Sequence, residues 1–140
     1  MFVDTNILVY ATQATSPHRD AARDGLRRFS ASEVRLCLSR QILREYLSVV
    51  TRPQLLLKPV PMAEALADIA GFAADFELLE DGPEVSERLV ELCRTVRLAG
   101  RQVHDANIVA TMLAHGERRL LTMNQSDFRR FEPRIEIIEP

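Results

Sequence analysis

The sequence predicts an α/β sandwich in which five short strands form a central, mostly parallel sheet covered by helices. Two observations carry this. Short apolar runs rich in β-branched residues alternate with longer segments of helical period, the pattern of βαβ units. The helical segments are also punctuated at their ends, with Ser-Pro or Pro at starts and Gly just past stops. At 140 residues, with 46% hydrophobic and 27% charged side chains, the chain has the size and composition of one globular domain spanning 1–140.

The expected strands are Phe2–Val3, Val34–Leu38, Phe76–Leu79, Leu120–Thr122 and Ile135–Ile138. Between them, Ser16 and Pro17 read as N-cap and first position of a helix running through Ala21, Ala22, Leu26 and Phe29. Further helices are expected from near Ser39 to before Pro53, from Pro61 to Ala74, from Pro83 to Leu98, and from His104 to His115, closed by Gly116. The stretch Arg52 to Pro61 holds three prolines but is too short and apolar to divide domains. The Ala-rich and Leu-rich middle helices suggest a projecting hairpin whose apolar excess marks a partner-binding face.

Composition narrows the function classes. The sequence shows no basic leader or signal core, and no run of the roughly 20 apolar residues that a membrane span needs, so a cytoplasmic protein is expected. Cys37 and Cys93 lack CxxC partners and nearby histidines at zinc-ligand spacing, and read as buried free thiols. The net charge of -2 excludes a globally basic coat for nucleic acid and leaves room for a local basic face.

Chemistry is concentrated in four acids. Asp4 follows the first strand, at the carboxyl edge where open parallel sheets bind ligands, although helix capping is an equal reading. Glu45 projects at the rim of the apolar arc formed by Ile42, Leu43, Tyr46, Leu47, Val49 and Val50, where a surface salt bridge is the ordinary alternative. Asp105 opens the helix of HDANIVATMLAHG, and Asp127 follows the strand LLT in TMNQSDF; both also suit capping. Capping explains each acid separately but not their common edge. Carboxylates crowded there repel unless protonated or bound to a cation, and oxygen donors without cysteine suit Mg²⁺ or Mn²⁺. Phosphodiester hydrolysis is the chemistry that uses such a set.

The order and spacing of DTNILVY, the acid in LREYL, HDANIVATMLAHG and LLTMNQSDF resemble the motifs of PIN domains, over nearly the whole span from Asp4 to Phe128. Within that family the chain looks most like VapC, the toxin of bacterial VapBC toxin–antitoxin modules. The resemblance implies a three-layer PIN-like sandwich, an Mg²⁺- or Mn²⁺-dependent endoribonuclease, a homodimer, and a VapB-like antitoxin that blocks the site. It maps the catalytic and metal-binding acids onto Asp4, Glu45 and Asp105, with Thr5 or Asn6 as polar helpers. Asp127 is taken as the fourth acid, with Asn124 and the strand-end Thr122 in support; Met123 stands where relatives usually carry an arginine.

Other polar residues offer weaker signals. His104 reads as a helix-start histidine before it reads as an RNA contact, and the stripe Arg19, Arg23 and Arg27 reads as a solvated face. The rivals are a phosphatase with Asp4 as nucleophile, a receiver-like signalling domain, and an inert RNA- or protein-binding module. The first lacks a second acid at Asn6, and the second lacks its acidic pair and late lysine, since the only lysine is Lys58.

Overall fold

In a computed structural model, which describes residues 1–53 and 58–140, thirteen short elements alternate around one sheet. Strands β1 (Phe2–Val3), β2 (Cys37–Ser39), β3 (Glu77–Leu79), β4 (Arg119–Leu121) and β5 (Glu136–Ile138) lie in the order β3-β2-β1-β4-β5, all parallel. Helices α1 (Thr5–Thr12), α2 (Arg19–Ala31), α3 (Arg40–Val50) and α4 (Met62–Asp75) pack in succession, α1 against α2 and α3, and α3 against α4. Helix α5 (Pro83–Thr95) pairs with α6 (Gln102–Ala114), and α7 (Gln125–Phe128) runs into a 3₁₀ turn at Arg129–Phe131. The three-layer α/β expectation holds, and the sheet is parallel throughout.

Apolar side chains fix this arrangement. Phe2, Val3, Leu120 and Leu121, from the two central strands, are wholly buried, with Ile42 and Met112 of the covering helices completing the core. Each such side chain contributes about 1.5–3 kcal/mol on removal from water, so the middle of the sheet is the best-secured part of the molecule.

Element ends depart from the sequence expectation where a backbone or hydroxyl group is already committed. The amide of Val34 donates to Phe29 O at 3.2 Å, closing α2, so pairing of β2 with β3 begins only where Glu77 N reaches Leu36 O. Ser16 accepts from His18 N at 3.2 Å in a tight turn, and α2 starts at Arg19 instead of Pro17. Helix α5 ends at Thr95, whose hydroxyl donates to Glu91 O at 3.0 Å, not at Leu98. Helix α6 begins at Gln102, which accepts from Ala99 N at 3.0 Å, two residues before His104. Gly116 closes α6 as expected, with φ +72.

The middle helices do not form a projecting hairpin. Helix α4 is held to α3, where the Tyr46 ring meets Phe72 edge-on at 5.0 Å, while α5 lies against α6 and β3 enters the sheet between them. The outer face of α4 is nonetheless apolar, with Met62 and Leu66 each more than half exposed. Cys37 is buried as expected, but Cys93 is exposed, because it lies one residue round from the buried Leu92 on α5. The expected loop from Arg52 to Pro61 falls partly outside the described residues.

Candidate acidic site at the switch point of the sheet

Successive strands are laid down on one side of β1 as far as β3, and then on its other side as β4 and β5. The direction therefore reverses between β1 and β4, and the crevice beyond their carboxyl ends is where such sheets receive ligands. Asp4 and Thr122 are the first residues past those two strands. The ladder carries on through both, with Asp4 N on Leu121 O and Thr122 N on Ile138 O, each at 3.0 Å.

Asp4 stands at the N-cap position of α1, but its side chain makes no capping bond to the helix. Its Oδ2 instead accepts from Thr122 Oγ1 and from Asn6 Nδ2, each at 2.6 Å. Asn6 also donates to Thr122 Oγ1 at 3.0 Å and accepts from Met123 N at 3.2 Å, tying the strand ends together. Burial above all, with the nearby Glu45 and Asp105 adding to it, pushes the Asp4 carboxyl up to about 7, against the opposing hydrogen bonds of the Thr122 hydroxyl and Thr5 amide.

Glu45 sits at the rim of α3, where the apolar arc placed it. Both of its oxygens are engaged, Oε2 by Thr5 Oγ1 at 2.8 Å and Oε1 by Gln41 Nε2 at 2.6 Å. Gln41 also donates to His104 O at 3.0 Å and accepts from Asn107 Nδ2 at 2.7 Å, bridging α3 to α6. Asp105, in the first turn of α6, is pushed up to about 6 by burial and then by the negative charge of Asp127, with Arg130 and His104 opposing. Asp127 accepts from Asn124 Nδ2 at 2.6 Å.

The side chains of Asp4, Glu45, Asp105 and Asp127 all line one cavity of about 430 Å³, together with Thr5, Asn6 and Asn124. Thr122 lies fully buried behind Asp4. Every residue expected at the site is therefore at this cavity or bonded to a residue that lines it. Sequence reasoning missed Gln41 and Asn107, which set Glu45, and Arg52, the arginine on the cavity wall. The i, i+4 spacing of Gln41 and Glu45 was the available signal. Of the Arg19, Arg23 and Arg27 stripe, Arg27 keeps the expected solvated position, paired with the equally exposed Asp24 at 3.2 Å, whereas Arg23 is half-buried and donates to Ala11 O at 2.9 Å.

Among the described residues, no three acidic, histidine or cysteine side chains form a ready-made metal-ligating group. The donor chemistry nevertheless fits a hard divalent cation. Four carboxylates from separate elements face one cavity, and two of them are held unusually protonated in part by their neighbours' charge. An ion such as Mg²⁺ keeps most of its waters and needs only one or two protein carboxylates.

Fold and site together define a parallel α/β protein with an acidic cavity at the switch point of its sheet. Residues 1–132 match the PIN domain family, and the chain belongs to that family. It is 32% identical to Ribonuclease VapC48 of Mycobacterium tuberculosis, over 98% of this chain and 94% of that protein. It is 31% identical to Ribonuclease VapC24 of the same organism, over 92% and 89%. In fold it is similar to VapBC2 from Rickettsia felis, solved bound to a DNA fragment from its promoter, with TM-score 0.71, 20% identity and coverage of 99% and 97%.

Proposed function

We propose that this protein is a divalent-metal-dependent endoribonuclease, the toxin of a VapBC-type toxin–antitoxin pair. The observation that carries the reading is the meeting of Asp4, Glu45, Asp105 and Asp127, from four separate elements, on one cavity at the switch point. Likeness to proteins named VapC ribonucleases over nearly the full chain supports the same reading.

In this reading Asp4, Glu45, Asp105 and Asp127 hold Mg²⁺ or Mn²⁺, through the carboxylate oxygens that face the cavity. When bound, the ion neutralises the scissile phosphate, activates water and stabilises the leaving oxygen. The protein holds its carboxylates in place beforehand. Thr122 and Asn6 fix Asp4, Thr5 and Gln41 fix Glu45, and Asn124 fixes Asp127. Water adds to phosphorus, the bond to the leaving ribose oxygen breaks, and that oxygen takes up a proton. Asp4, 6% exposed and with one oxygen engaged by two donors, is badly placed to attack phosphorus itself, which disfavours the phosphatase alternative.

The partners follow from the same reading: an RNA substrate, a VapB-like antitoxin, and a second copy of the chain, acting in the cytoplasm. Among the described residues no helix is long and apolar enough to cross a membrane. The apolar outer face of α4, with Met62 and Leu66, is the kind of surface that another chain covers. Incubating the purified protein with labelled RNA, with Mg²⁺ or Mn²⁺ and then with chelator, tests the activity. Metal-dependent cleavage lost in Asp4→Asn is expected, and full cleavage in chelator sinks the mechanism. Induction in a bacterial host should arrest growth, with relief by Asp4→Asn or by co-expression of a small neighbouring gene; normal growth removes the toxin assignment.

A further inference from the structure

A second cavity, of about 670 Å³, adjoins the acidic one and shares Glu45, Ser48 and Asp105 with it. Its own walls are of opposite character. Arg44 comes from α3, and Arg101 and His104 from the start of α6, with Leu89 and Val103 supplying apolar surface. Glu45 and Asp105 thus form a ridge, with acids on one side and cations on the other.

The place of the unpaired arginines, beside the acid ridge, gives the second cavity meaning. Four exposed arginines elsewhere are spent on neighbouring acids, Arg27 on Asp24, Arg35 on Glu77, Arg40 on Glu80 and Arg88 on Glu91. Arg94 and Arg97, at neither cavity, are exposed and, among the described residues, without such partners. Among the described residues, the guanidinium groups of Arg44 and Arg101 have neither an ion pair nor a hydrogen bond, and both side chains are exposed. Arg52, on the wall of the acidic cavity, is likewise exposed and without such a partner. Unpaired cations therefore flank the acid ridge on both sides, in a chain of net charge -2. Such a local field attracts a polyanion to a protein that is acidic overall.

We infer that the second cavity is a subsite for the RNA strand flanking the cleaved phosphate, with Arg44 and Arg101 gripping its backbone phosphates. The inference rests on the ribonuclease reading and adds the path of the strand. The scissile phosphate lies on the acidic side, the chain crosses the ridge at Glu45 and Asp105, and its next phosphates meet Arg44 and Arg101. Leu89 and Val103 offer apolar surface to a ribose or base face, and His104 offers a ring nitrogen at the cavity wall. These contacts track the backbone and carry no base code, so the subsite supplies affinity and not sequence preference.

The test uses the full chain carrying Asp4→Asn, which binds without cutting, and a fluorescent single-stranded RNA read by anisotropy in chelator across a salt series. Arg44→Ala with Arg101→Ala is compared with Arg94→Ala with Arg97→Ala. The second pair removes the same charge from two exposed arginines at neither cavity. Each phosphate contact to a single strand contributes about 0.7 to the slope of log affinity against log salt, so the first pair should flatten the slope by about 1.4 and weaken binding at low salt. The control pair should leave the slope unchanged, and Arg44→Lys with Arg101→Lys should restore it. Equal slopes in the two alanine pairs, with the wild type still cleaving RNA, overturn the subsite alone. If the wild type cleaves no RNA and the Asp4→Asn chain binds none, the ribonuclease reading falls with it.

Discussion

Thr122 donates its hydroxyl to Oδ2 of Asp4 at 2.6 Å, joining the first residues beyond β4 and β1 across the gap where the sheet changes direction. The two are 118 positions apart in the chain, and both are nearly or wholly inaccessible. The bond favours the ionised carboxylate but does not outweigh burial, so the metal-free fold accommodates the Asp4 anion poorly and holds its proton up to about 7.

The first prediction follows from that cost. In chelator, the Asp4 carboxyl keeps its proton up to about 7 when folded, whereas the unfolded chain loses it near the ordinary 3.8. Between those values the folded state binds more protons, so stability is highest below the lower value and falls as pH rises towards the upper. Asp105, pushed up to about 6, acts in the same direction. At about 1.4 kcal/mol per pH unit, Asp4 alone costs on the order of 4 kcal/mol by neutral pH. Urea midpoints at pH 4.5 and 7.5 should show this loss in the wild type and much less of it in Asp4→Asn. Mn²⁺ should restore the wild type at pH 7.5 and leave the variant unmoved. A midpoint that rises with pH in chelator contradicts the assignment.

Gln41 underlies the second prediction. Gln41→Leu leaves Glu45 Oε1 without its donor and Asn107 Nδ2 without its acceptor, at about 1–3 kcal/mol of stability. Groups that orient metal ligands typically change affinity or activity by about 10–100-fold. Cleavage should fall within that range, and the Mn²⁺ concentration for half-maximal cleavage should rise by about ten-fold. Loss of stability with an unshifted Mn²⁺ requirement makes Gln41 a mere tie between helices.

These two cases also mark what the sequence makes legible. The strands around Phe2, Leu120 and Ile137 are readable because buried parallel strands are short, unbroken apolar runs, and Asp4 is readable because it ends one. Glu45 was visible as a rim residue from helical periodicity alone. Gln41 has no such signature: a buried amide on an amphipathic helix looks like any polar residue, and its meaning lies in Asn107, 66 positions away. Element ends failed for a related reason, since the amide of Val34 and the hydroxyls of Ser16 and Thr95 are claimed by local bonds that compete with regular structure. The projecting hairpin failed because the Ala-rich and Leu-rich make-up of α4 and α5 shows that each has an apolar face but not what it packs on: α4 lies against α3 and α5 against α6.

Tyr46 supplies a third prediction, confined to stability. Its ring is fully buried, and its hydroxyl lies 2.5 Å from Asp68 Oδ2 on α4 and 3.0 Å from Thr12 Oγ1 on α1. Tyr46→Phe keeps the edge-on contact with Phe72 and removes only these bonds, leaving the Asp68 carboxylate without its donor. Equilibrium unfolding should show a loss of about 1–2 kcal/mol, with RNA cleavage changed by less than about two-fold. A large fall in cleavage at unchanged stability sets Tyr46 among the residues that shape the site.

The last prediction settles the corner at the end of β4, where Asn124 and Asp127 are bonded at 2.6 Å and both line the acidic cavity. If Asp127 is the fourth carboxylate, Asp127→Asn removes a charge that Asn124→Ala leaves in place. The two variants then part company. Asp127→Asn should reduce cleavage by more than about ten-fold, whereas Asn124→Ala frees the carboxylate and should cost only a few-fold. The electrostatic consequence is separate from turnover. The negative charge of Asp127 is the chief neighbouring influence raising Asp105, so Asp127→Asn should bring the Asp105 titration below about 6 in metal-free protein, followed by carboxyl-carbon NMR. Asn124→Ala should leave that titration nearly in place. The reverse order, with Asn124→Ala the more damaging and Asp105 unmoved by Asp127→Asn, assigns the corner to Asn124 and reduces the site to three acids.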